Sequence, residues 1–463
     1  MKKHSNKMAD MPIRELVLSM AIPAMISMTI QALYNVVDSI FVSRVSEEAL
    51  TAVSLAFPLQ LLIIALVVGT SAGITSLISR RLGESNREEA SKAASHGFVI
   101  NMIYSVIMLL SGLFLAEKAV SLFTSDPYLI ELTTQYISII MIFSFGRLMA
   151  QAGISTLQGT GNMINPMKAM LVGAITNIIL DPILIFGWFG FPALGVRGAA
   201  IATVTGQILS FVYISIVIMN GRHDVDIQLR KFRFDYKVLK DIYVVALPGI
   251  VMQSLGSVML SGLNLILIAF TPTAVAVLGA YYKLQSIIIM PIFGLMQGYM
   301  PIMGYNYGSK QKDRMMDTLK FTLRIAFMIM LTGAIIIIVF PVQMLRLFDA
   351  SPDMLEIGVI ALRAIGMCLP LAAVGITFSV TFQAIKKGYV SLIGSFIRQM
   401  VVILPVAYLF SVWIGLNGVW FAFIVSEFVA IIIMGPWLAK DLKKTFSKWE
   451  KATEPIVIKE TGV

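Results

Sequence analysis

The sequence predicts an all-α polytopic membrane protein with twelve transmembrane helices in two six-helix lobes, and three observations predict it. Of the 463 residues, 57% are hydrophobic and 13% are charged, whereas a soluble globular chain carries about 25% charged residues. The charges fall in bursts between apolar runs long enough to cross a hydrocarbon core of about 30 Å. The chain also repeats itself at a fixed offset. A soluble enzyme is excluded, and the single cysteine, Cys368, excludes a disulfide framework or a cysteine-based metal centre.

The apolar runs follow one another along the chain, and polar segments separate them. The first run follows several basic residues, but it is too long for the core of a secretory signal and lacks a small-residue cleavage site. We therefore expect it to remain as the first helix. The predicted spans are Leu16–Phe41, Thr51–Leu77, Ala93–Leu115, Leu129–Ser155, Pro166–Phe186, Leu194–Met219, Ile242–Phe270, Thr273–Met303, Thr318–Phe340, Met354–Phe382, Tyr389–Trp413 and Leu416–Leu438.

The basic residues predict how these spans are oriented. Short cytoplasmic loops are enriched in Lys and Arg. With the N-terminus inside, 27 of the 36 basic residues fall in inner segments, and the outer segments hold only Arg44, Lys118, Arg197 and Arg346. We expect a multi-pass protein of the cytoplasmic (inner) membrane with both termini in the cytoplasm. The net charge of +10 then reflects orientation and attraction to anionic lipid, and no nucleic-acid partner is expected.

The two halves of the chain align with each other. At an offset of 225 the matches run without a gap from Pro23 to Gln158, and Gly198 pairs with Gly418 at an offset of 220. The repeat predicts an N-terminal lobe (1–220), a cytoplasmic linker (221–241), a C-terminal lobe (242–440) and a cytoplasmic tail (441–463). The matched pairs include Pro23/Pro248, Gln60/Gln285, Gly69/Gly294, Gly73/Gly298, Gly83/Gly308, Phe123/Phe348, Pro127/Pro352 and Gln158/Gln383.

An even number of spans per copy relates the lobes by an axis along the membrane normal. Parallel repeats of this kind place a substrate path between two bundles that rock against each other. The repeat therefore favours a transporter with alternating access, and no catalytic residue is predicted. Walker A and HExxH sequences are absent from the chain, so ATP-driven transport and metal-dependent intramembrane hydrolysis have no support.

Three acidic residues lie well inside the spans: Asp38, Asp181 and Glu427. A carboxylate at that depth is costly, so each is a functional candidate by default. In the first span, Asp38 shares one helical face with Asn35, Tyr34 and Gln31. That polar stripe is expected to face protein or water.

Asp181 follows Asn177 by one helical turn and precedes Pro182, where a proline removes a backbone hydrogen bond. Asp38 and Asp181 each lie roughly 9 Å inside the outer end of their helices, at about 1.5 Å per residue, so we expect them to meet. Such a pair would take up a proton near neutral pH, or its oxygens would ligate Na⁺. A purely structural role, in bonding backbone groups freed by a kink, remains the alternative for each.

The repeat places ion coupling in the first lobe alone, because Asp38 aligns with Leu263 and Asp181 aligns with apolar sequence near Val406. Glu427 is a weaker candidate that either pairs with Arg363 or Arg398 or contacts substrate. Lys283, Arg147, Arg324 and Arg363 lie near span ends, where snorkelling to the headgroups is expected. Arg398 lies deeper and is expected to pair within the second lobe.

The chain holds 29 Met, 27 Phe, 14 Tyr and 5 Trp residues. Met repacks around ligands of different shape, and aromatic faces attract flat cations. These residues are also ordinary membrane-core residues, so composition favours a polyspecific cavity only slightly. The weaker substrate-binding candidates are Gln31, Tyr34, Asn35, Phe57, Tyr281, Tyr282, Met290 and Met296.

The sequence resembles the multidrug and toxic compound extrusion (MATE) family, and within it the MepA-type branch, over roughly residues 10–440. The residues that carry the resemblance are Ile22-Pro23, Val37-Asp38, Gly69-x3-Gly73, Arg81-Leu82-Gly83-Glu84, Gln158-Gly159-x-Gly161-Asn162 and the run Asn177-x3-Asp181-Pro182 to Gly195-x2-Gly198-Ala199-Ala200-x-Ala202-Thr203. The resemblance implies two lobes in a V-shaped antiporter that exports organic cations in exchange for H⁺ or Na⁺. It carries the first-lobe ion site over to Asp38, Asn177, Asp181 and Thr203.

One branch of the family has an acidic residue in the seventh helix, and here the segment from Leu247 to Gln253 contains none. This departure favours protons, although Na⁺ at Asp38, Asn177 and Asp181 stays open. We expect no cofactor beyond the coupling ion and function as a monomer in lipid. The alternative is a flippase for lipid-linked sugars. Such a protein is expected to have a large cationic cavity that matches phosphates, whereas the charged residues deep in the first lobe are acidic. The internal repeat argues against a third possibility, a non-transporting membrane scaffold or a channel.

Overall fold

The computed structural model describes residues 7–220, 224–348 and 350–453. The linker residues 221–223, the tail residues 454–463 and the side chain of Asn35 lie outside this description. Among the described residues, ten helices are long and apolar enough to cross a membrane, and two bent pairs complete twelve spans. These are α1 (Ile13–Ser43), α2 (Glu47–Gly83), α3 (Arg87–Phe114), α4 (Pro127–Ile142 and Phe145–Gly159), α5 (Ile164–Phe186), α6 (Val196–Asn220), α7 (Tyr236–Ile268), α8 (Pro272–Gly308), α9 (Lys312–Val339), α10 (Pro352–Gly366 and Leu369–Ala384), α11 (Gly388–Trp413) and α12 (Leu416–Thr453).

The twelve-span prediction is confirmed, and several helices continue past their apolar runs. α7 begins at Tyr236 rather than Ile242, because the Asp235 carboxylate accepts the backbone N–H groups of Lys237 (2.8 Å) and Val238 (3.4 Å) and so caps the helix. The bond from Lys237 also lowers the pKa of the Asp235 carboxyl. α12 continues to Thr453. Hydropathy does not detect polar helical turns that lie outside the hydrocarbon.

Two spans that were predicted as single helices are bent. α4 bends by 43° between Ile142 and Phe145, and α10 bends by 45° between Gly366 and Leu369. In α10 the second segment has a proline in its first turn, and the residue before a proline disfavours helical geometry. The two bends fall at corresponding places in the repeat, so each lobe has one bent helix in its fourth position.

The lobes, α1–α6 and α7–α12, meet where glycines bring helices together. A Cβ at Gly69 in α2 would come within 2.5 Å of the Ile250 side chain in α7. A Cβ at Gly294 in α8 would come within 2.5 Å of the backbone nitrogen of Met25 in α1. Only glycine allows such an approach of one backbone to another helix.

A second crossing lies at the ends of α2 and α8. A Cβ at Gly83 would clash with the Tyr305 carbonyl oxygen, and one at Gly308 would clash with the Arg80 carbonyl oxygen. These two glycines are matched by the repeat, so the crossing is nearly symmetric. We call this side of the bundle, which also holds the chain between α6 and α7, the linker side.

Polar contacts join the lobes on the linker side. The Ser76 hydroxyl donates to the Gln383 carbonyl oxygen at 2.9 Å, and the Tyr104 and Tyr243 hydroxyls are 2.6 Å apart. Asp241 in α7 accepts from Arg81 in α2 at 3.2 Å and from Lys386 of its own lobe. The bundle is therefore closed on the linker side in this structure.

The chain between the lobes is docked against α3. Arg87 pairs with Asp224 at 3.1 Å, and the backbone N–H of Asp235 donates to His96 Nε2 at 2.9 Å. Since the backbone oxygen of Lys92 lies 2.8 Å from His96 Nδ1, the proton sits on Nδ1 and Nε2 accepts. The described part of the predicted linker is thus held at the lobe boundary.

We predict that cysteines at Ser79 and Gly304 will form a disulfide that joins the lobes. A Cβ at Gly304 would lie 3.5 Å from the Ser79 Cβ, within the usual range of about 3.5–4.5 Å for a disulfide. The measurement uses a Cys368→Ala background with a protease site inserted between Asp226 and Arg233. After cleavage, the two halves should stay together on a non-reducing gel and separate with reductant.

The Ser79→Cys variant alone is the control and should separate under both conditions. Separation of the double variant after complete oxidation would show that the linker side is open.

Candidate ion and substrate site

Asp38 and Asp181 come together as the sequence predicts. Asp38 on α1 and Asp181 on α5 each lie five residues before the end of their helix, on the side opposite the linker. Their carboxyl groups are close enough to interact electrostatically. Asp181 is fully buried, and Asp38 is partly buried. We call these two residues the carboxyl pair.

Asn177 holds one side of the carboxyl pair. Its side-chain nitrogen donates to Asp181 Oδ1 at 3.3 Å and to the Thr203 hydroxyl at 3.2 Å. The first contact joins residues one turn apart on α5, and the second joins α5 to α6. Asn177 is 2% exposed, so its amide orients Asp181 in a place that excludes bulk water.

Three oxygens of the site have no hydrogen-bond donor among the described residues. They are Asp38 Oδ1, Asp181 Oδ2 and Asn177 Oδ1, and all three are buried. Buried polar atoms are nearly always hydrogen-bonded. A cluster of acceptors that lacks donors is therefore suited to a proton or another small cation.

A second layer of polar side chains surrounds the carboxyl pair. Gln60 on α2 donates to the Tyr136 hydroxyl on α4 at 3.1 Å, and Tyr136 lies close enough to Asp38 to interact electrostatically. Tyr34 interacts with both carboxyl groups and is within hydrogen-bonding reach of Gln31. Tyr34 and Gln31 of the predicted polar stripe therefore lie beside the carboxyl pair, whereas the side chain of Asn35 lies outside the described part of the chain.

Gln60 and Tyr136 were not among the site residues predicted from the sequence, and the predicted position of Arg147 was wrong. Arg147 was expected to reach the headgroups, but it lies near Tyr34 and interacts with it electrostatically. Gln60 is one of the residues matched by the repeat, and that match was the only signal for it. Tyr136 lies in an apolar run that offers no signal.

An apolar cleft of about 350 Å³ lies between the lobes. Its lining residues come from α1 and α8, and they are Ile22, Met25, Ile26, Thr29, Ile30 and Pro291. The cleft borders the crossing at Gly294. A hydrophobic pocket with a single hydroxyl side chain suits a lipophilic ligand.

The predicted lining residues have different surroundings. Tyr281 and Met296 are buried in the core, so they do not line an open cavity in this conformation. Met296 lies between the two glycines of α8 that pack against α1, which explains its burial. Phe57 is 52% exposed, and Tyr282 and Met290 are partly buried.

Glu427 pairs with Arg398, one of the two partners considered from the sequence. Arg398 Nη1 and Glu427 Oε1 are 2.5 Å apart, in a contact between α11 and α12. The side chains are 31% and 8% exposed. The second lobe thus holds an ion pair, whereas the first holds two acids.

The chain has known relatives along nearly its whole length. The MatE family model matches residues 23–183 and 248–409. Similar proteins include an FAD transporter of Shewanella oneidensis (25% identical; 90% of this chain and 92% of that protein), the probable multidrug resistance protein NorM of Thermotoga maritima (27%; 95% and 94%) and the multidrug export protein MepA of Staphylococcus aureus (24%; 90% and 91%).

Solved structures are similar as well. An outward-facing MATE transporter of the MOP superfamily superposes with a TM-score of 0.90 at 30% identity, covering 96% of this chain and 98% of the other. A MOP superfamily transporter from Pyrococcus furiosus, described as having a binding pocket of reverse polarity, gives a TM-score of 0.90 at 29% identity, with 96% and 99% covered.

The fold and the buried first-lobe site define a multi-pass membrane transporter rather than an enzyme. The chain belongs to the MATE family, since the family model matches more than half of it in two segments that begin at residues 23 and 248.

We predict that Asn177→Leu will destabilise the first lobe. The variant leaves buried oxygens of Asp181 and Thr203 without their donor, which costs about 1–3 kcal/mol for each unsatisfied group. The purified protein should therefore melt at a lower temperature when unfolding is followed by intrinsic fluorescence. Asn264→Leu, a partly buried asparagine on α7, is the matched control and should melt close to the unchanged protein. Equal melting temperatures for the two variants would contradict this assignment of Asn177.

Proposed function

We propose that the protein is a secondary active antiporter that exports lipophilic organic cations in exchange for protons. The observation that carries the proposal is the carboxyl pair with its three oxygens that lack donors. Two carboxyl groups that lie close together in a buried site repel each other when both are ionised, so one of them holds a proton more readily. The nearness of Asp38 and Asp181 therefore favours H⁺ over Na⁺ as the coupling ion.

Protonation changes the charge of the site by one unit. With both carboxyls ionised, the pair attracts cations to the cleft between the lobes. Uptake of a proton from outside weakens that attraction, and the cation leaves. Exchange follows because proton and substrate compete for one negative charge in a place of low dielectric.

The closed linker side fits one state of such a cycle. The basic residues predict that the linker side is cytoplasmic, so this structure fits a state whose cytoplasmic side is closed. The lobes then separate on the linker side to take up substrate, by the rocking expected of parallel repeats. We place the transporter in the inner membrane as a monomer, and the MepA-type branch stays a prediction.

The known relatives support export, but their names do not indicate one common class of substrate. NorM and MepA are multidrug proteins by name, which agrees with the export of lipophilic cations, whereas another relative is an FAD transporter. An anionic substrate is not explained by the carboxyl pair. The ion pair of the second lobe is the feature to consider for such compounds.

We predict that Asp38→Asn will abolish proton-driven export. The amide keeps the size of the side chain but carries no exchangeable charge, so transport of a cationic dye in proteoliposomes with an imposed pH gradient should fall to the level of empty liposomes. Glu131→Gln removes an exposed carboxylate of the same lobe and should leave transport unchanged.

Separate pH and Na⁺ gradients distinguish the coupling ions. We expect transport with the pH gradient in the absence of Na⁺. Transport that requires a Na⁺ gradient would replace the proton in the mechanism, and full transport by Asp38→Asn would remove Asp38 from it.

A further inference from the structure

The second lobe contains an ion pair in the middle of the membrane. Arg398 lies ten residues from the start of α11, and Glu427 lies eleven residues from the start of α12. At about 1.5 Å per residue, both are roughly 15 Å along their helices. Glu427 was only a weak candidate from the sequence, and the ion coupling described above does not use either residue.

Arg398 lies in an irregular part of its helix. Residues Ile397–Val402 form a π-helical turn between the two α-helical parts of α11. Such turns are rare and occur frequently at functional sites. The turn contains Arg398 and also Gln399, which is 7% exposed, so two polar residues enter the lobe at this irregularity.

The side chain of Arg398 is bound to Glu427 but is not fully buried. It is 31% exposed, whereas that of Glu427 is 8% exposed. Exposing a charge to hydrocarbon at this depth is costly, so we expect the guanidinium to face protein or water rather than lipid. The guanidinium has five N–H donors, and the Glu427 contact engages one of them through Nη1.

Aromatic side chains and a further donor lie next to the ion pair. Tyr282 on α8 interacts electrostatically with Arg398, and its buried hydroxyl has no partner among the described residues. The rings of Tyr281 and Tyr282 are 5.4 Å apart at 65°, and those of Tyr281 and Phe423 are 6.2 Å apart at 66°. The surroundings of Arg398 thus combine a cation, a hydroxyl donor and aromatic rings.

This site and the first-lobe site differ in whether their unpartnered atoms are hydrogen-bond donors or acceptors. There, the unpartnered atoms are carboxyl and amide oxygens. Here, a guanidinium with remaining donors lies beside an unpartnered hydroxyl, although Glu427 Oε2 also lacks a partner. Arginine binds carboxylates and phosphates through two parallel hydrogen bonds, so a guanidinium with remaining donors fits an anionic group.

We propose that Arg398, with Tyr282 beside it, is an anion-binding subsite of the second lobe that takes the phosphate or carboxylate of an aromatic substrate. The proposal rests on the transport of small aromatic compounds proposed above and adds a second chemical class to it. When the subsite is empty, Glu427 balances the charge of Arg398. When it is filled, the anion shares the guanidinium with Glu427.

FMN and riboflavin test the proposal, because they share one fluorescent ring system and differ by a phosphate. Binding to the purified full-length protein is measured at equilibrium by quenching of flavin fluorescence, without any ion gradient. A hydrogen bond to a charged group contributes about 1.5–3 kcal/mol, so FMN should bind about tenfold or more tightly than riboflavin. The preference should weaken as salt is raised, because salt screens charge.

Two variants remove the subsite in different ways. Arg398→Gln combined with Glu427→Gln deletes both charges and leaves no buried charge unpaired, and it should bind FMN no better than riboflavin. Arg398→Lys keeps the charge but loses the planar fork, and it should retain only part of the preference. Arg363→Gln is the control, because Arg363 lies in the same lobe and donates to the Ile338 carbonyl oxygen; it should keep the full preference.

The outcomes separate this proposal from the antiport mechanism. Equal binding of the two flavins by the unchanged protein, no binding of FMN, or a full preference in the doubly substituted protein would each overturn the subsite. The Asp38→Asn variant should lose driven transport of cations but keep the FMN preference, since the flavin assay needs no coupling ion. Failure of the carboxyl pair and failure of the Arg398 subsite therefore appear in different measurements.

Discussion

Two carboxyl groups held together away from water are the constraint on which the function of this structure depends. An isolated buried carboxylate is very costly, and two of them in contact are costlier unless a cation lies between them. Asn177 satisfies one oxygen of Asp181, but the remaining acceptors are left for an ion. The site is therefore incomplete without its ligand, and filling it changes the charge of the first lobe.

The carboxyl pair is connected to the lobe interface through α1. Asp38 lies near one end of this helix, while Ala21 and Met25 pack against the glycines of α8 towards the other end. An unbroken helix transmits a displacement as a rigid element, and Pro23 lies inside it beside these contacts. A change of charge at Asp38 thus acts on a helix that packs directly against the second lobe.

The repeat explains how that closure is built. Gly69 and Gly294 are matched in the two halves of the chain, and each packs against the other lobe; Gly83 and Gly308 do the same at the linker side. Since each lobe supplies the same glycines, the interface is nearly symmetric, and neither lobe moves without changing both crossings. The alignment of the two halves identified these glycines. It did not predict that they pack against the opposite lobe.

Much of the fold and the centre of the ion site could be predicted because rare residues in an apolar chain stand out. Asp38 and Asp181 were visible for that reason, and equal depth was enough to expect contact. Tyr136 was missed and Arg147 was misplaced because packing between helices, and not depth along one helix, brings Tyr136 near Asp38 and Arg147 near Tyr34. The choice between Arg363 and Arg398 as partner for Glu427 could not be made from the sequence, since helix spacing does not identify the neighbouring helix.

The difference between the lobes follows from what each pair of helices carries. In the first lobe, α1 and α5 bring two acids together, and the antiport proposed above uses their charge to bind a mobile cation. In the second lobe, α11 and α12 bring an acid and a base together, and the pair is balanced without any ion. A balanced pair has no need of a coupling ion, yet the guanidinium of Arg398 has donors beyond the one that Glu427 engages. One lobe is therefore suited to exchange charge during transport, and the other is suited to recognise a fixed charge on the compound that is transported.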